Sequence, residues 1–212
     1  LILPMPSSKN LVAGVIGVQG DVSEHMDAIL QLGTQHNLSI DTFAIRQTGI
    51  IPKCDFLTIP GGESTTISRL IDDTGMSSEI ITHATSGKPL LVTCAGLIVA
   101  SSNANDSRVK TLNLLDVSIN RNAFGRQIDS LETYLSIVGL NDPFPAVFIR
   151  APAVETVSKN VEILAEHEGR PVAIRQDNII GTSFHPELTS DLRIHDLAFF
   201  GTTISDSKAQ IK

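Results

Sequence analysis

The sequence predicts an α/β fold, with a mixed, mostly parallel central sheet and helices on both faces. In the first half, short apolar runs rich in Val and Ile alternate with helix-like segments, as happens when each helix connects two parallel strands. The second half contains short β-rich runs separated by turns, and several of these are expected to extend the sheet. Strands that are apolar along their whole length indicate a sheet covered on both faces.

The first half is predicted to alternate between strands and helices from its first apolar run. Asp21 directly precedes the first helix, where its side chain can cap free backbone N–H groups. The predicted strands are residues 11–18, 39–45, 56–59 and 90–93. The predicted helices are residues 22–32, 65–71 and 77–85, with a further helix-like stretch from residue 95 to 101.

The second half is predicted to consist mainly of strands, with a helix that closes the domain. We find no repeats or low-complexity linkers, so we predict one domain over residues 11–203, between a loose N-terminal extension (1–10) and a polar tail (204–212). The predicted strands are residues 112–119, 133–138, 146–149, 161–166, 171–175 and 179–184, and the helix is 192–200.

Composition and charge exclude several functional classes. The chain has 212 residues and a net charge of −7, with 16 Lys and Arg against 23 Asp and Glu, so it has no basic surface to attract nucleic acid or an anionic membrane. Its apolar runs are too short to span a bilayer, and we expect no signal peptide. Two cysteines cannot form a disulfide framework, and no Cys or His pair has zinc-ligand spacing. We therefore expect a cytoplasmic protein without a metal or other cofactor.

Reactive or conformationally special residues follow three of the predicted strands. These clusters are Pro60 to Ser64, Cys94 to Gly96, and His185 to Glu187. Because ligands bind at the carboxyl ends of the strands in a parallel sheet, we expect the three clusters to meet at one edge.

Cys94 is the candidate nucleophile. It follows the apolar run Leu90 to Thr93 and precedes Ala95 and Gly96, a pattern typical of a sharp strand-to-helix turn that exposes a reactive side chain. A helix beginning behind the sulfur would favour the thiolate. The alternative is a buried structural cysteine, which is our interpretation of Cys54, because that residue lies in a turn with no nearby base.

His185 and Glu187 are the candidate base and its orienting carboxylate. In an extended segment, side chains two residues apart point to the same side, so Glu187 can hold one imidazole nitrogen while the other faces a thiol. An isolated His-x-Glu is common by chance, and a structural role is the alternative. The other histidines lack such a partner in the sequence, so we assign them to surface or helix-face positions: His25, His36, His83, His167 and His195.

The Gly61–Gly62 turn is a candidate oxyanion site. Glycines let the backbone adopt conformations closed to other residues and let a substrate approach the N–H groups. The N–H groups of Gly62 and Ala95 are the natural donor pair for a tetrahedral intermediate at Cys94. The alternative is an ordinary glycine turn.

Nucleotide binding is disfavoured at both glycine-rich segments. No Gly-Lys-Ser or Gly-Lys-Thr follows the Gly61–Gly62 turn, as a phosphate-binding loop requires. Gly14, Gly17 and Gly20 have the spacing GxxGxxG, which differs from the dinucleotide fingerprint, and the first two lie within a predicted strand.

Longer sequence strings point to one family. With Cys94, His185 and Glu187 in this order, the chain resembles the class I (triad) glutamine amidotransferases, whose sheet is flavodoxin-like. More narrowly, it is similar to the glutaminase subunits of pyridoxal 5'-phosphate synthase, the PdxT/SNO family, over about residues 11–200. The strings that carry this resemblance are QGDV (19–22), PGGESTTISRL (60–70), TCAGLI (93–98), RNAFGRQIDS (121–130), PFPAVFIRAP (143–152) and TSFHPEL (182–188).

The resemblance implies hydrolysis of L-glutamine to L-glutamate and ammonia. It assigns Cys94 as nucleophile, His185 as general base and then acid, and Glu187 as the orienting residue. Arginine and carboxylate side chains suit the charged α-groups of glutamine, although which group meets which charge stays open. The glutamine-binding positions that match the family are Gly62, Glu63, Ser64, Arg121, Ile149 and Arg150.

The resemblance also implies a protein partner. In this family, a synthase subunit with a (β/α)₈ barrel uses the ammonia, and the two subunits form a complex with twelve copies of each (12 + 12). The glutaminase is poorly active until the synthase binds, and a turn of the Gly61–Gly62 peptide is a physical route for that activation. We expect residues 19–21 and the helix that follows to lie at this contact.

One position departs from the family pattern, and two other functions stay open. Val92 stands where the family usually has glycine, and a β-branched residue there would crowd the turn at the nucleophile. The chain could instead be a noncatalytic scaffold subunit of the same synthase. A cysteine peptidase or chaperone of a related α/β type is the third possibility.

Overall fold

A seven-stranded sheet forms the centre of the fold. The computed structural model describes residues 10–17, 20–121 and 130–201. The strands are β1 (Leu11–Ile16), β2 (Ile40–Ile45), β3 (Phe56–Ile59), β4 (Leu90–Thr93), β5 (Ser101–Asn103), β6 (Leu115–Asn120), β7 (Ser130–Leu135), β8 (Phe144–Ile149), β9 (Ala153–Val157), β10 (Glu162–His167), β11 (Arg170–Gln176) and β12 (Ile179–Thr182). The helices are α1 (Val22–Gln35), α2 (Ser64–Asp73), α3 (Met76–Thr85), α4 (Ala95–Ala100) and α5 (Arg193–Phe200), with short 3₁₀ turns at Ile51–Lys53 and Pro186–Leu188.

The central sheet is mixed and mostly parallel. Its strand order is β10-β11-β12-β4-β3-β1-β2. The five strands from β2 to β12 pair in parallel, whereas β11 pairs antiparallel with both β12 and β10. Every residue of β3, β4 and β12 is buried, as expected for the middle of a sheet that is covered on both faces. The predicted fold class is confirmed.

Helices cover the sheet on both faces. Helices α1 and α5 pack on one face, where the Phe56 ring stacks on that of Phe199 at 5.0 Å between centroids. Helices α2, α3 and α4 pack on the other face, where Ile67 and Ile80 join the core. Within the described ranges, no helix combines the length and apolar character needed to cross a membrane.

The second half differs from the prediction in how its strands pair. Strands β10, β11 and β12 extend the central sheet, whereas β5, β6 and β9 form a separate three-stranded sheet. Among the described residues, β7 and β8 form a two-stranded sheet of their own. The strand predicted at 133–138 lies at Ser130–Leu135, because pairing in the hairpin, with Ser130 opposite Ile149, sets its limits. Short β5 and half-exposed β9 have no clear apolar pattern and were not predicted.

Several sequence features lie outside the described residues. These include Gln19, most of the RNAFGRQIDS string, nearly all of the predicted N-terminal extension and the predicted polar tail. The single-domain boundaries at 11–203 therefore stay a prediction.

Candidate active site

The three predicted clusters lie at the carboxyl ends of three neighbouring strands. The Gly61–Gly62 turn follows β3, Cys94 follows β4, and His185 lies three residues beyond β12, and these strands are adjacent in the sheet. A Cβ atom placed on Gly61 would lie 2.6 Å from His185 Cε1 and 3.5 Å from Cys94 Cβ. The structure therefore brings the glycine turn, the imidazole and the thiol into one site.

Cys94 occupies a strained turn between β4 and α4. Its φ of 48° and ψ of −107° are uncommon for a residue with a side chain, and such a conformation costs about 1–3 kcal/mol. Two backbone hydrogen bonds hold it: Cys94 N–H donates to Thr182 O at 2.8 Å, and Cys94 O accepts from Ile98 N–H at 3.3 Å. The Cys94 Sγ lies 3.9 Å from the carbonyl oxygen of Ile149, at the end of β8.

Val92 does not disturb this turn. Its side chain is fully buried in the core of the sheet, and β4 continues through Thr93 before the turn begins. A Cβ atom on Gly181, the neighbour of Val92 in β12, would lie 3.4 Å from Val92 Cγ2, which is an ordinary van der Waals contact. Val92 therefore packs within the sheet, ahead of the turn at Cys94.

His185 and Glu187 form a buried hydrogen-bonded pair. The distance from His185 Nδ1 to Glu187 Oε1 is 2.7 Å, and the two residues are 4% and 6% exposed. The predicted extended segment is wrong in one respect. Only His185 is extended, and Pro186–Leu188 is a 3₁₀ turn that brings Glu187 back to the imidazole. His185 N–H also donates to Val147 O of β8 at 2.8 Å.

The surroundings of this pair shift the pKa of both members. Burial alone would lower the pKa of His185, but hydrogen bonds with Asp21, Cys94 and Glu187 outweigh it, so the pKa of His185 is raised. Burial raises the pKa of Glu187, and its hydrogen bond with His185 offsets part of that rise. The hydrogen bonds that the His185 ring makes with Asp21, Cys94 and Glu187 therefore stabilise its protonated, charged form.

Asp21 contributes to the site in a way that was not predicted. It stands at the start of α1, but its side chain makes no capping hydrogen bond. Instead Asp21 Oδ2 lies 3.3 Å from His185 Nδ1. The hydrogen bond with His185 lowers the pKa of Asp21 against the opposing effect of burial.

Two histidines assigned to surface or helix-face positions are in fact fully buried behind Glu187. His25 Nε2 lies 3.3 Å from both Glu187 Oε2 and Thr93 Oγ1, and His25 Nδ1 lies 3.0 Å from His195 Nε2. Burial lowers the pKa of both rings, that of His195 to about 4. Asp21 and His25 are four residues apart at the start of one helix, so their spacing was a signal for a shared face.

Gly62 and Ala95, the predicted oxyanion donors, lie on two segments that pack against each other. Gly62 has a φ of 135°, which a residue with a side chain rarely adopts. Ala95 is the first residue of α4, where backbone N–H groups lack partners within the helix. A Cβ atom on the next residue, Gly96, would lie 2.0 Å from Ile59 O, so this helix start touches the chain that leads into the glycine turn.

Charged side chains predicted to bind glutamine are paired with each other. Arg121 Nη2 donates to Glu63 Oε1 at 2.7 Å, and Arg121 Nη1 contacts Asp106 Oδ2. Glu63 Oε1 also accepts from Thr65 N–H at 3.1 Å, which caps α2. Burial opposes ionisation of Glu63, but the bonds with Thr65 and Arg121 prevail and lower the pKa of its carboxyl.

The remaining predicted binding residues surround the same edge. Ser64 is buried, and within the described part of the chain its hydroxyl has no hydrogen-bond partner. Ile149 is partly exposed at the end of β8, and Arg150 is exposed with a φ of 44°. These positions are compatible with a ligand above Cys94, and their role stays a prediction.

One group of side chains has the composition of a metal site. Ligand atoms of Asp21, His185 and Glu187 lie within 4.8 Å of one another. However, the short contact between His185 Nδ1 and Glu187 Oε1 is best satisfied by a proton on that nitrogen, which then cannot bind a metal. We interpret the group as a hydrogen-bonded cluster around the imidazole.

This arrangement defines a class of protein. A thiol on a strained turn, an imidazole and a buried carboxylate meet at the carboxyl edge of a mostly parallel sheet, as in enzymes of the Cys-His-Glu triad type. A family model described as the SNO glutamine amidotransferase family matches residues 15–203. The chain belongs to this family.

Comparisons with individual proteins agree with that assignment. The chain is 57% identical to "Pyridoxal 5'-phosphate synthase subunit PdxT" of Halobacterium salinarum over 195 residues, which cover 92% of this chain and 96% of the relative. It is 60% identical to the protein of the same name from Natronomonas pharaonis, with coverage of 90% and 99%. A solved structure titled as a glutamine amidotransferase superposes with a TM-score of 0.79 at 36% identity, covering 90% of this chain and 99% of the other.

Proposed function

We propose that the chain hydrolyses L-glutamine to L-glutamate and ammonia, as the glutaminase subunit of a pyridoxal 5'-phosphate synthase in vitamin B6 biosynthesis. The observation that carries this proposal is the meeting of Cys94, His185 and the Gly61–Gly62 turn at one edge of the sheet. The relatives named PdxT support the particular synthase, because they match this chain over nearly its whole length.

The first chemical step is attack of the Cys94 sulfur on the side-chain amide carbon of glutamine. His185 takes the thiol proton, and the carbonyl oxygen becomes an oxyanion that the N–H groups of Gly62 and Ala95 stabilise. His185 then returns the proton to the nitrogen as the C–N bond breaks, so ammonia leaves and a thioester remains. Water, deprotonated by His185, cleaves the thioester to glutamate and regenerates the thiol.

Glu187 orients the base during these steps. Its carboxylate accepts a hydrogen bond from the Nδ1–H of His185, so the other ring nitrogen is left free to accept the proton of the thiol. Because Glu187 is buried and the contact is short, the ring is held in one orientation before substrate arrives.

The charged residues near the turn bind the α-amino and α-carboxylate groups of glutamine. Arg121 and Arg150 supply the cations, Glu63 supplies the anion, and the buried Ser64 hydroxyl gains the partner that it lacks among the described residues. The Ile149 carbonyl, which faces the sulfur, completes the set. A buried hydroxyl without a partner is costly, so a ligand that satisfies it gains affinity.

Ammonia is useful to a synthase only if it is delivered directly. The proposed partner is a (β/α)₈-barrel synthase subunit, in a cytoplasmic complex with twelve copies of each chain. We place its contact at residues 19–21 and α1, and the exposed faces of α1 that carry Glu24 and Asp27 are open to such a partner. Substitution of Glu24 and Asp27 together is expected to weaken binding of the synthase. Unchanged binding and activation would contradict this contact.

Ammonia release from glutamine, measured with and without the synthase subunit, tests the function. Cys94→Ala should abolish turnover while glutamine still binds. Cys54→Ala is the matched control, because Cys54 is buried away from the site and its pKa is raised to about 11 by burial. Absence of turnover by the unaltered chain in both conditions would favour the noncatalytic scaffold. Glutamine turnover that persists in Cys94→Ala would refute the thiol mechanism.

A further inference from the structure

Two carboxylates face the same nitrogen of His185. Glu187 Oε1 lies 2.7 Å from Nδ1, and Asp21 Oδ2 lies 3.3 Å from it. The two acids come from different parts of the fold, since Glu187 follows β12 and Asp21 precedes α1. The triad accounts for Glu187 and gives Asp21 no part in the chemistry.

The two carboxylates differ in their exposure to water. The Glu187 side chain is fully buried, whereas that of Asp21 is 36% exposed. Burial raises the pKa of Glu187, while the hydrogen bond with His185 lowers the pKa of Asp21. Asp21 is therefore the acid that retains its negative charge more readily, and Glu187 is the one that makes the shorter contact.

The backbone before Asp21 is fixed against the catalytic turn. A Cβ atom on Gly20 would lie 1.8 Å from Gly61 O, so the two chains touch at this point and only glycine fits. Helix α1 then begins at Val22 and buries His25 behind Glu187. This anchoring on both sides holds the Asp21 carboxylate near the imidazole.

We propose that Asp21 is a positioning residue for the catalytic base: its carboxylate shares the Nδ1 side of His185 with Glu187 and stabilises the imidazolium that forms when Cys94 loses its proton. This inference rests on the proposed function, in which His185 accepts the thiol proton. An opposite charge at this distance favours the protonated ring.

The titratable groups around His185 are accounted for element by element. Cys94 faces it from the turn before α4, Glu187 from the 3₁₀ turn, and Asp21 from the start of α1. His25 of α1 faces Glu187 and stays neutral, because burial lowers its pKa. Asp21 is thus the second carboxylate at the ring, and it comes from a different element than Glu187.

The test compares histidine ring titrations by nuclear magnetic resonance in the Cys94→Ala background, where no thiol titrates with the imidazole. Replacing Asp21 with Asn should lower the pH at which His185 titrates by about one unit. This is the lower end of the shift that a nearby opposite charge produces, because water screens the partly exposed Asp21. Asp73→Asn is the control, because Asp73 is an exposed acid at the end of α2 that lies away from the glycine turn. Asp21→Ser is a second neutral variant in case Asn impairs folding.

Kinetics provide the second readout. In the enzyme with its thiol, measured at a saturating concentration of the synthase subunit so that weaker docking does not contribute, Asp21→Asn should move the limb of the pH profile that belongs to the imidazole to lower pH. It should also lower kcat up to tenfold, with KM little changed. An unmoved His185 titration in Asp21→Asn, or an equal shift in Asp73→Asn, would overturn the proposal. The titration needs no glutamine turnover, so it decides the role of Asp21 even if the chain releases no ammonia.

Discussion

The residues assigned to chemistry and those assigned to substrate recognition are held in opposite ways. Cys94, His185 and Glu187 are buried and fixed by backbone hydrogen bonds or by short contacts with each other. Glu63 and Arg121 are partly exposed and held by an ion pair that spans α2 and the end of β6. The sheet therefore holds the side chains of the first region in a single arrangement. The charged side chains of the second region pair with each other, and a charged ligand can replace those contacts.

Under the proposed mechanism, this difference separates groups that transfer protons from groups that bind substrate. Groups that transfer protons must be in place before the reaction, because small misplacements are costly in rate. Groups that bind a charged substrate can instead exchange one ionic partner for another. Changes in the first region are therefore expected to reduce kcat, and changes in the second are expected to raise KM.

The largest effect in this comparison is expected for Glu187→Gln. Loss of the carboxylate removes the acceptor that fixes the His185 tautomer, so kcat should fall about 10³-fold with KM nearly unchanged. Glu166→Gln, an exposed residue of β10, is the matched control. Steady-state glutamine hydrolysis measures both variants. Full activity of Glu187→Gln would show that the base does not depend on this carboxylate.

A smaller effect is expected for Gly61→Ala. The new methyl group would lie 2.6 Å from His185 Cε1, so the imidazole must move, and a displacement of this size is expected to lower kcat about 10²-fold. Gly87→Ala is the control, since a Cβ there meets no atom within 4 Å, although its φ of 82° strains the new side chain. Equal losses of activity in the two variants would mean that the imidazole contact is not the cause of the loss in Gly61→Ala.

The sequence predicted the positions of the candidate catalytic residues better than those of the residues around them. Cys94, His185 and the glycine turn each follow an apolar strand, and parallel topology forces such residues to one edge. The separate sheets of the second half depend instead on long-range pairing, as between β6 and β9, which local patterns do not encode. Asp21 shows the same limit, because its capping position was evident in the sequence while its partner is 164 positions away.

Burial of His25 and His195 was missed for a related reason. Their contact joins α1 to α5 across the sheet face, and neither helix alone shows that both rings lie inside. Polar residues on a helix default to solvent unless a partner is known. The pairing of Arg121 with Asp106 was equally invisible, since the sequence assigned that arginine only to substrate.

The smallest effect, and the one that separates the two regions most clearly, is expected for Arg121→Gln. Loss of one charge-assisted contact with glutamine should raise KM at least about tenfold, while kcat stays within about twofold, because the contact is made equally in the ground and transition states. Arg175→Gln is the matched control, since it removes a similar partly exposed pair, with Glu162 at 2.6 Å, far from Cys94. A fall in kcat with unchanged KM would mean that Arg121 contributes to the chemical step and not to substrate binding. A rise in KM alone would mean that its ion pair with Glu63 is a resting contact that glutamine replaces.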